Sequence, residues 1–128
     1  MADPVGYTAG KLRYIVLVPG QTIFIPSGVV HFVFRPVGQN LQTLALGGHV
    51  LLWSALDVWM EVVLCQLRYP DITNEEMRAT ISRYVNVVMK LVAQRQKCGR
   101  VEEMGGEERV ARFFALCEVC AELIEMAM

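Results

Sequence analysis

Residues 19–34 read PGQTIFIPSGVVHFVF, and the reading of this stretch decides the fold. Two turn signals interrupt an otherwise apolar, β-branched run. Pro19-Gly20 permits a tight turn that starts a short strand, and Pro26-Ser27-Gly28 makes a sharper one that feeds the next. His31 follows Gly28 by three residues and is one of two histidines in the chain. On a strand its alternate neighbours Val29 and Val33 share its face. Inside a small barrel, that spacing would hold the imidazole in the interior, where a metal could sit.

On both sides of this stretch the same local code continues. Residues 1–10, with Pro4, Gly6 and Gly10, read as a loose leader. Strands are expected over 11–18, 21–25 and 29–36, with a fourth over 41–46 before Gly47-Gly48. Beyond Gly48 the period changes from two to that of a helix. Residues 50–68 form an apolar helix on which Ser54, Asp57 and Glu61 make a narrow polar stripe. Its length suits a membrane, but each ionised carboxylate at bilayer depth costs roughly 2.5–3.5 kcal/mol, so a largely buried helix is expected. Pro70 ends it, and Asp71 or Thr73 offers an N-cap for a second helix. Met77, Ile81, Tyr84, Val85, Val88 and Leu91 recur along that helix at helical spacing. Residues 98–108 read as a Gly- and Glu-rich linker, and 109–128 as a third amphipathic helix. Strands first and helices after give an α+β class.

The chain has 128 residues, 54% of them apolar, with net charge −1. At 14.4 kDa it is one domain at most. Its mean hydropathy, +0.37, is higher than a free-standing domain of this size needs, so part of the apolar surface is expected to lie against something outside the chain. Twelve basic residues are scattered, leaving no electrostatic footprint for nucleic acid. No secretory signal is visible. Cys65, Cys98, Cys117 and Cys120 lack a disulfide-framework spacing, and a reduced intracellular compartment is the simpler reading.

The order Gly20, Pro26, Gly28, His31 resembles the second conserved motif of the cupin superfamily. More narrowly, "GQTIFIPSGVVHFVF" followed by Arg35-Pro36 is similar to the distal iron-binding strand pair of JmjC-domain oxygenases of the histone lysine demethylase branch. "LALGGHVL" is similar to that family's Gly-Gly-Asn-Phe-Leu segment, and "LRYPDITNEEMRATISRYV" to the helix after its barrel. The resemblance covers about residues 12–86. It implies a partial double-stranded β-helix, jelly-roll or cupin-like, over 11–49. Post-barrel helices over 50–97 follow, making about three α-helices with the C-terminal one. It also implies an Fe(II)- and 2-oxoglutarate-dependent dioxygenase as parent, acting on methyl-lysine of histone tails in the nucleus. His31 matches the family's third iron ligand. The His-X-Asp/Glu motif that supplies the other two does not occur here, since His31 precedes Phe32-Val33 and His49 precedes Val50-Leu51. The 2-oxoglutarate-binding lysine, upstream in the family, has no counterpart either.

Several readings therefore stay open. His31 is a metal ligand by descent or a core histidine satisfied by a backbone carbonyl. His49, Asp57 and Glu61 are conceivable replacement ligands, though a cap and a polar helix stripe explain them more simply. Cys117 and Cys120 form a C-x-x-C on a helix without a second pair at zinc spacing, so apolar packing is expected. Trp53, Trp59, Phe113 and Phe114 are expected in a core or an interface. The functional expectation is a C-terminal JmjC fragment, inactive alone. Its alternatives are a non-catalytic module that associates with itself, and a small cupin-like protein whose dimer brings two His31 side chains together.

Overall fold

A computed structural model of the protein describes residues 13–35, 44–73 and 77–126, with side chains omitted for 77–79. Its regular elements are α1 (Leu56–Arg68), α2 (Met77–Lys97) and α3 (Glu107–Glu125), with 3₁₀ turns at Trp53–Ala55, Pro70–Ile72 and Glu102–Met104. No strand occurs among the described residues. This corrects the α+β expectation and the partial double-stranded β-helix over 11–49. The described parts of the four expected strands, 13–18, 21–25, 29–35 and 44–46, carry no ladder. Residues 1–12, 36–43 and 74–76 lie outside the described residues, and with them the leader and the N-cap junction of α2.

The physical reason lies in where backbone hydrogen bonds can go. A helix closes its own N–H to C=O bonds four residues apart. A strand must borrow them from a neighbour, and two or three short strands without a covering layer are marginal in water. From residue 13 to residue 34, backbone-to-backbone bonds among the described residues close only two turns, Gln21 N to Val18 O (3.1 Å) and Val29 N to Pro26 O (3.3 Å). The helical half has no such dependence, and it folds upon itself.

The expected helix over 50–68 starts later than its apolar run. Leu52 has extended backbone (φ −86°, ψ 130°), and a 3₁₀ turn leads into α1. Tyr69 N donates to Cys65 O at 3.0 Å, and Pro70 follows. Leu56, Met60, Val63, Leu64 and Leu67 form the buried face of α1. It packs chiefly on α3 through Val110, Phe113, Cys117 and Cys120. α2 buries Ile81, Val85, Val88 and Val92, whereas Tyr84 and Leu91 of the sequence pattern, with Val87, face outward. The stretch 98–108, expected as a linker, contributes Val101 and Met104 to the core.

One polar group enters this core. Asp57 in the first turn of α1 is 3% exposed. It accepts hydrogen bonds from Arg109 Nε (3.1 Å) and Nη2 (2.7 Å) of α3. Arg112 lies 3.9 Å from the same carboxylate and also pairs with Glu61. Gly105, at φ +90°, makes room for this arrangement, because a Cβ there would stand 2.6 Å from Arg109 Cδ. Burial pushes the Asp57 carboxyl up. The Arg109 hydrogen bonds, the Val58 and Asp57 backbone N–H groups and the guanidinium charge pull harder, so it titrates below the usual carboxylate range. A second polar tie lies at the same end of the bundle: Glu103 bonds both Arg95 and Arg100 at 2.6 Å. Arg95 also lies 4.0 Å over the Trp53 ring.

The two partners of the Asp57 pair are unequally buried, 4% exposed for the Asp57 side chain and 39% for Arg109. Removing the cation strands a buried anion, whereas removing the anion frees a guanidinium that reaches water. Arg109→Ala is therefore expected to cost about 3 kcal/mol and Asp57→Asn about 1 kcal/mol in urea unfolding at pH 7. Because the folded pKa is depressed, the stabilisation is whole above the unfolded value and is lost as pH falls below about 4. An acid titration of stability should be flatter in Asp57→Asn than in the parent chain.

Candidate functional site

His31 is carried by the turn skeleton described above. In the first turn Pro19 and Gly20 occupy the central positions, with Gly20 at φ +86°. In the second, Ser27 and Gly28 do, with Gly28 at φ +80°. A positive φ at the third position is what a type II turn requires and what glycine supplies. The Gln21 side chain tightens the first turn, its Oε1 accepting from Val18 N at 3.0 Å. The second rests on α1: a Cβ on Gly28 would stand 3.4 Å from Val62 Cγ2. Both turns thus form where the sequence places them.

The imidazole itself is not interior. His31 is exposed, as are Val29 and Val33, which corrects the expected barrel-interior placement and the core-histidine alternative together. Its Nδ1 lies 2.9 Å from Val29 O. A carbonyl only accepts, so Nδ1 carries the proton in this bond. Metal-bound histidines are commonly oriented by such a donation to a backbone carbonyl.

The rest of an iron centre does not assemble around it. A facial triad needs two histidines and a carboxylate. Among the described residues no group of three or more His, Cys, Asp or Glu side chains could hold a metal ion. Asp57 and Glu61, the conceivable replacements, are committed to Arg109 and Arg112. Their pairing with α3 is also what sequence reasoning missed in taking them for a cap and a polar helix stripe. His49 is exposed on the segment before α1. The donor set described here does not fit an Fe(II)/2-oxoglutarate site.

Two recesses flank the helices. An apolar notch of about 170 Å³ opens between the second turn and α1, lined by Phe24, Pro26, Ser27, Leu52, Ala55 and Val58 among others. A recess of about 270 Å³ lies between Trp53, Leu91, Arg95, Cys98 and Arg100. The C-x-x-C pair is in neither. Cys117 and Cys120 are buried, and burial, then the neighbouring Cys120 and Glu118, pushes the Cys117 thiol up to about 12. Burial raises Cys120 as well. Both pack, as expected, and neither is poised as a thiolate. Trp53, Trp59 and Phe114 pack against the core and Phe113 lies within it. Phe113 and Phe114 meet edge to face at 5.4 Å.

A scan against family models, a search of curated proteins and a search of solved structures each returned no match. Among the described residues no helix is long and apolar enough to cross a membrane.

Thiol labelling of the native chain tests the burial pattern. Exposed Cys98 should react first and half-buried Cys65 more slowly. Cys117 and Cys120 should react only at the rate of unfolding. Fast reaction of either would contradict the α1–α3 packing.

Proposed function

We propose that this chain is the C-terminal part of a JmjC-type Fe(II)/2-oxoglutarate-dependent dioxygenase and is inactive alone. The parent reaction implied is oxidative demethylation of methyl-lysine on histone tails, which would place it in the nucleus. The observation that carries the reading is the turn skeleton. Two positive-φ glycines eight residues apart lead to His31, whose Nδ1 is tied back to Val29 O, which leaves Nε2 as the nitrogen that would meet a metal. The remaining ligands would have to come from sequence outside the described residues.

The reading frame upstream of the Met1 codon tests this. An in-frame His-X-Asp/Glu is expected there. In the extended chain, Fe(II) should give a 2-oxoglutarate-dependent absorption change that His31→Ala abolishes. The 128-residue chain should show none. A clean transcript start with no such motif upstream overturns the proposal.

A second reading, a self-associating interaction module derived from such a domain, is favoured by one observation. Tyr14, Ile15, Val16, Phe24, Val30, Phe32, Val33 and Phe34 are all exposed on a single stretch of chain. Apolar patches of that kind mark association surfaces.

A further inference from the structure

Charge is divided unevenly between the helices. α2 contains Arg78, Arg83, Lys90, Arg95 and Lys97 and neither Asp nor Glu. α3 contains Glu107, Glu108, Glu118, Glu122 and Glu125, and its two arginines are committed to Asp57 and Glu61 of α1.

Each set of charges lies on an outward face. On α2, Arg83, Lys90 and Lys97 recur every seven residues, and all three are exposed. Beside them run Tyr84, Val87 and Leu91, which are 64%, 51% and 44% exposed. On α3, Glu108, Ala111, Ala115, Glu118, Glu122 and Glu125 are exposed and follow one another at three- and four-residue steps, along one side of the helix. Among the described residues none of these three cations and four glutamates is in an ion pair. The opposite sides of both helices are buried in the shared core, so the two rows cannot meet within one chain.

We infer that the Arg83–Lys90–Lys97 face of α2 docks on the Glu108–Glu118–Glu122–Glu125 face of α3 in a second copy of this chain, with Tyr84, Val87 and Leu91 laid across Ala111 and Ala115. This rests on the self-association reading only in that the partner is another copy, and it assigns the contact to the helices.

Charge and spacing choose the occupant. Arg83 and Lys97 stand fourteen positions apart, as do Glu108 and Glu122, about 21 Å along each helix. Arg83 and Lys90 match Glu118 and Glu125 in the same way, at seven. The two alanines keep the middle of the acidic face shallow, which lets a facing helix approach to about 8–10 Å. An acidic face of matching period is thus present on the chain itself, and a second copy leaves neither row unpaired. An anionic lipid surface would take the basic face and leave the acidic one without a partner. At a net charge of −1, two copies also do not repel each other strongly.

Sedimentation equilibrium at low salt tests this, with helical circular dichroism as the folding control. The parent chain should associate, and at about 1 M salt, where screening shortens to about 3 Å, its Kd should rise at least tenfold. Arg83→Glu/Lys90→Glu should raise the low-salt Kd at least tenfold, and so should Glu118→Lys/Glu125→Lys. Both should keep the parent helicity, because all four positions are exposed. An equal mixture of the two variants should associate as the parent does, since each reversed face then meets its opposite. Association that either variant leaves unchanged, or a mixture that does not recover it, overturns this contact while self-association stands. A parent that stays monomeric at every concentration overturns both. Parent monomers that bind phosphatidylserine vesicles, and lose that binding in Arg83→Glu/Lys90→Glu, would assign the α2 face to a lipid surface and also overturn the inference.

Discussion

A polypeptide segment in extended form leaves every second backbone donor and acceptor pointing outward on each side, and something must meet them. That constraint divides this molecule. Along α1, α2 and α3 the requirement is met inside each helix, and the side chains are free to decide packing. Along 13–34 backbone bonds among the described residues close only the two turns. Hydrophobic burial follows the division. Among the described residues the buried cluster draws on the three helices and the 98–108 connection, with Trp53 packed against it. The described N-terminal stretch meets the bundle where the Gly28 turn approaches Val62 and where Phe24 and Leu52 border the notch.

Within the bundle, α1 and α3 are held in register by a polar contact as well as by Phe113 and Met60. Asp57 is nearly without solvent, and its position is tolerable only because Arg109 meets it with two hydrogen bonds. Such a pair adds little net stability compared with apolar side chains of equal volume, yet it penalises any sliding that breaks it. Glu61 with Arg112 one turn further on repeats the same sense of charge along the same seam. Just before the starts of α1 and α3, Glu103 gathers Arg95 and Arg100, and Trp53 lies under Arg95. These contacts tie the start of α1 to the end of α2 and make the 98–108 connection part of the fold.

The helices were legible in the sequence because their information is local: a 3.6-residue apolar period, a proline at position 70 and a glycine pair at 105 and 106. The turns at Gly20 and Gly28 were legible for the same reason. Ladders are not local. A β-branched run such as Thr22-Ile23-Phe24-Ile25 states a preference that only a neighbouring strand can realise, and that neighbour is not among the described residues. The Asp57–Arg109 pair was missed although a signal existed. Asp57 and Glu61 repeat at i, i+4 while Arg109 and Arg112 repeat at i, i+3, which is the spacing two facing helices need to match charges. Val101 and Met104 were hidden by the glycines and glutamates around them. Tyr84 and Leu91 fit the helical period yet sit on its outer flank, because α2 buries the row of Ile81, Val85, Val88 and Val92 instead.

The central claim is that the bundle is held by its own contacts while 13–34 carries no ladder and closes only two backbone turns among the described residues. Native-state amide exchange, read residue by residue in dilute solution, tests it most directly. The account predicts strong protection along α1, α2 and α3. Between residues 13 and 34 it predicts near-intrinsic exchange, slowed only at Val18, Gln21 and Val29, whose N–H groups close the turns. Alternating protection across 13–18, 21–25 and 29–34, as strong as that of the helices, would show a ladder there and contradict it.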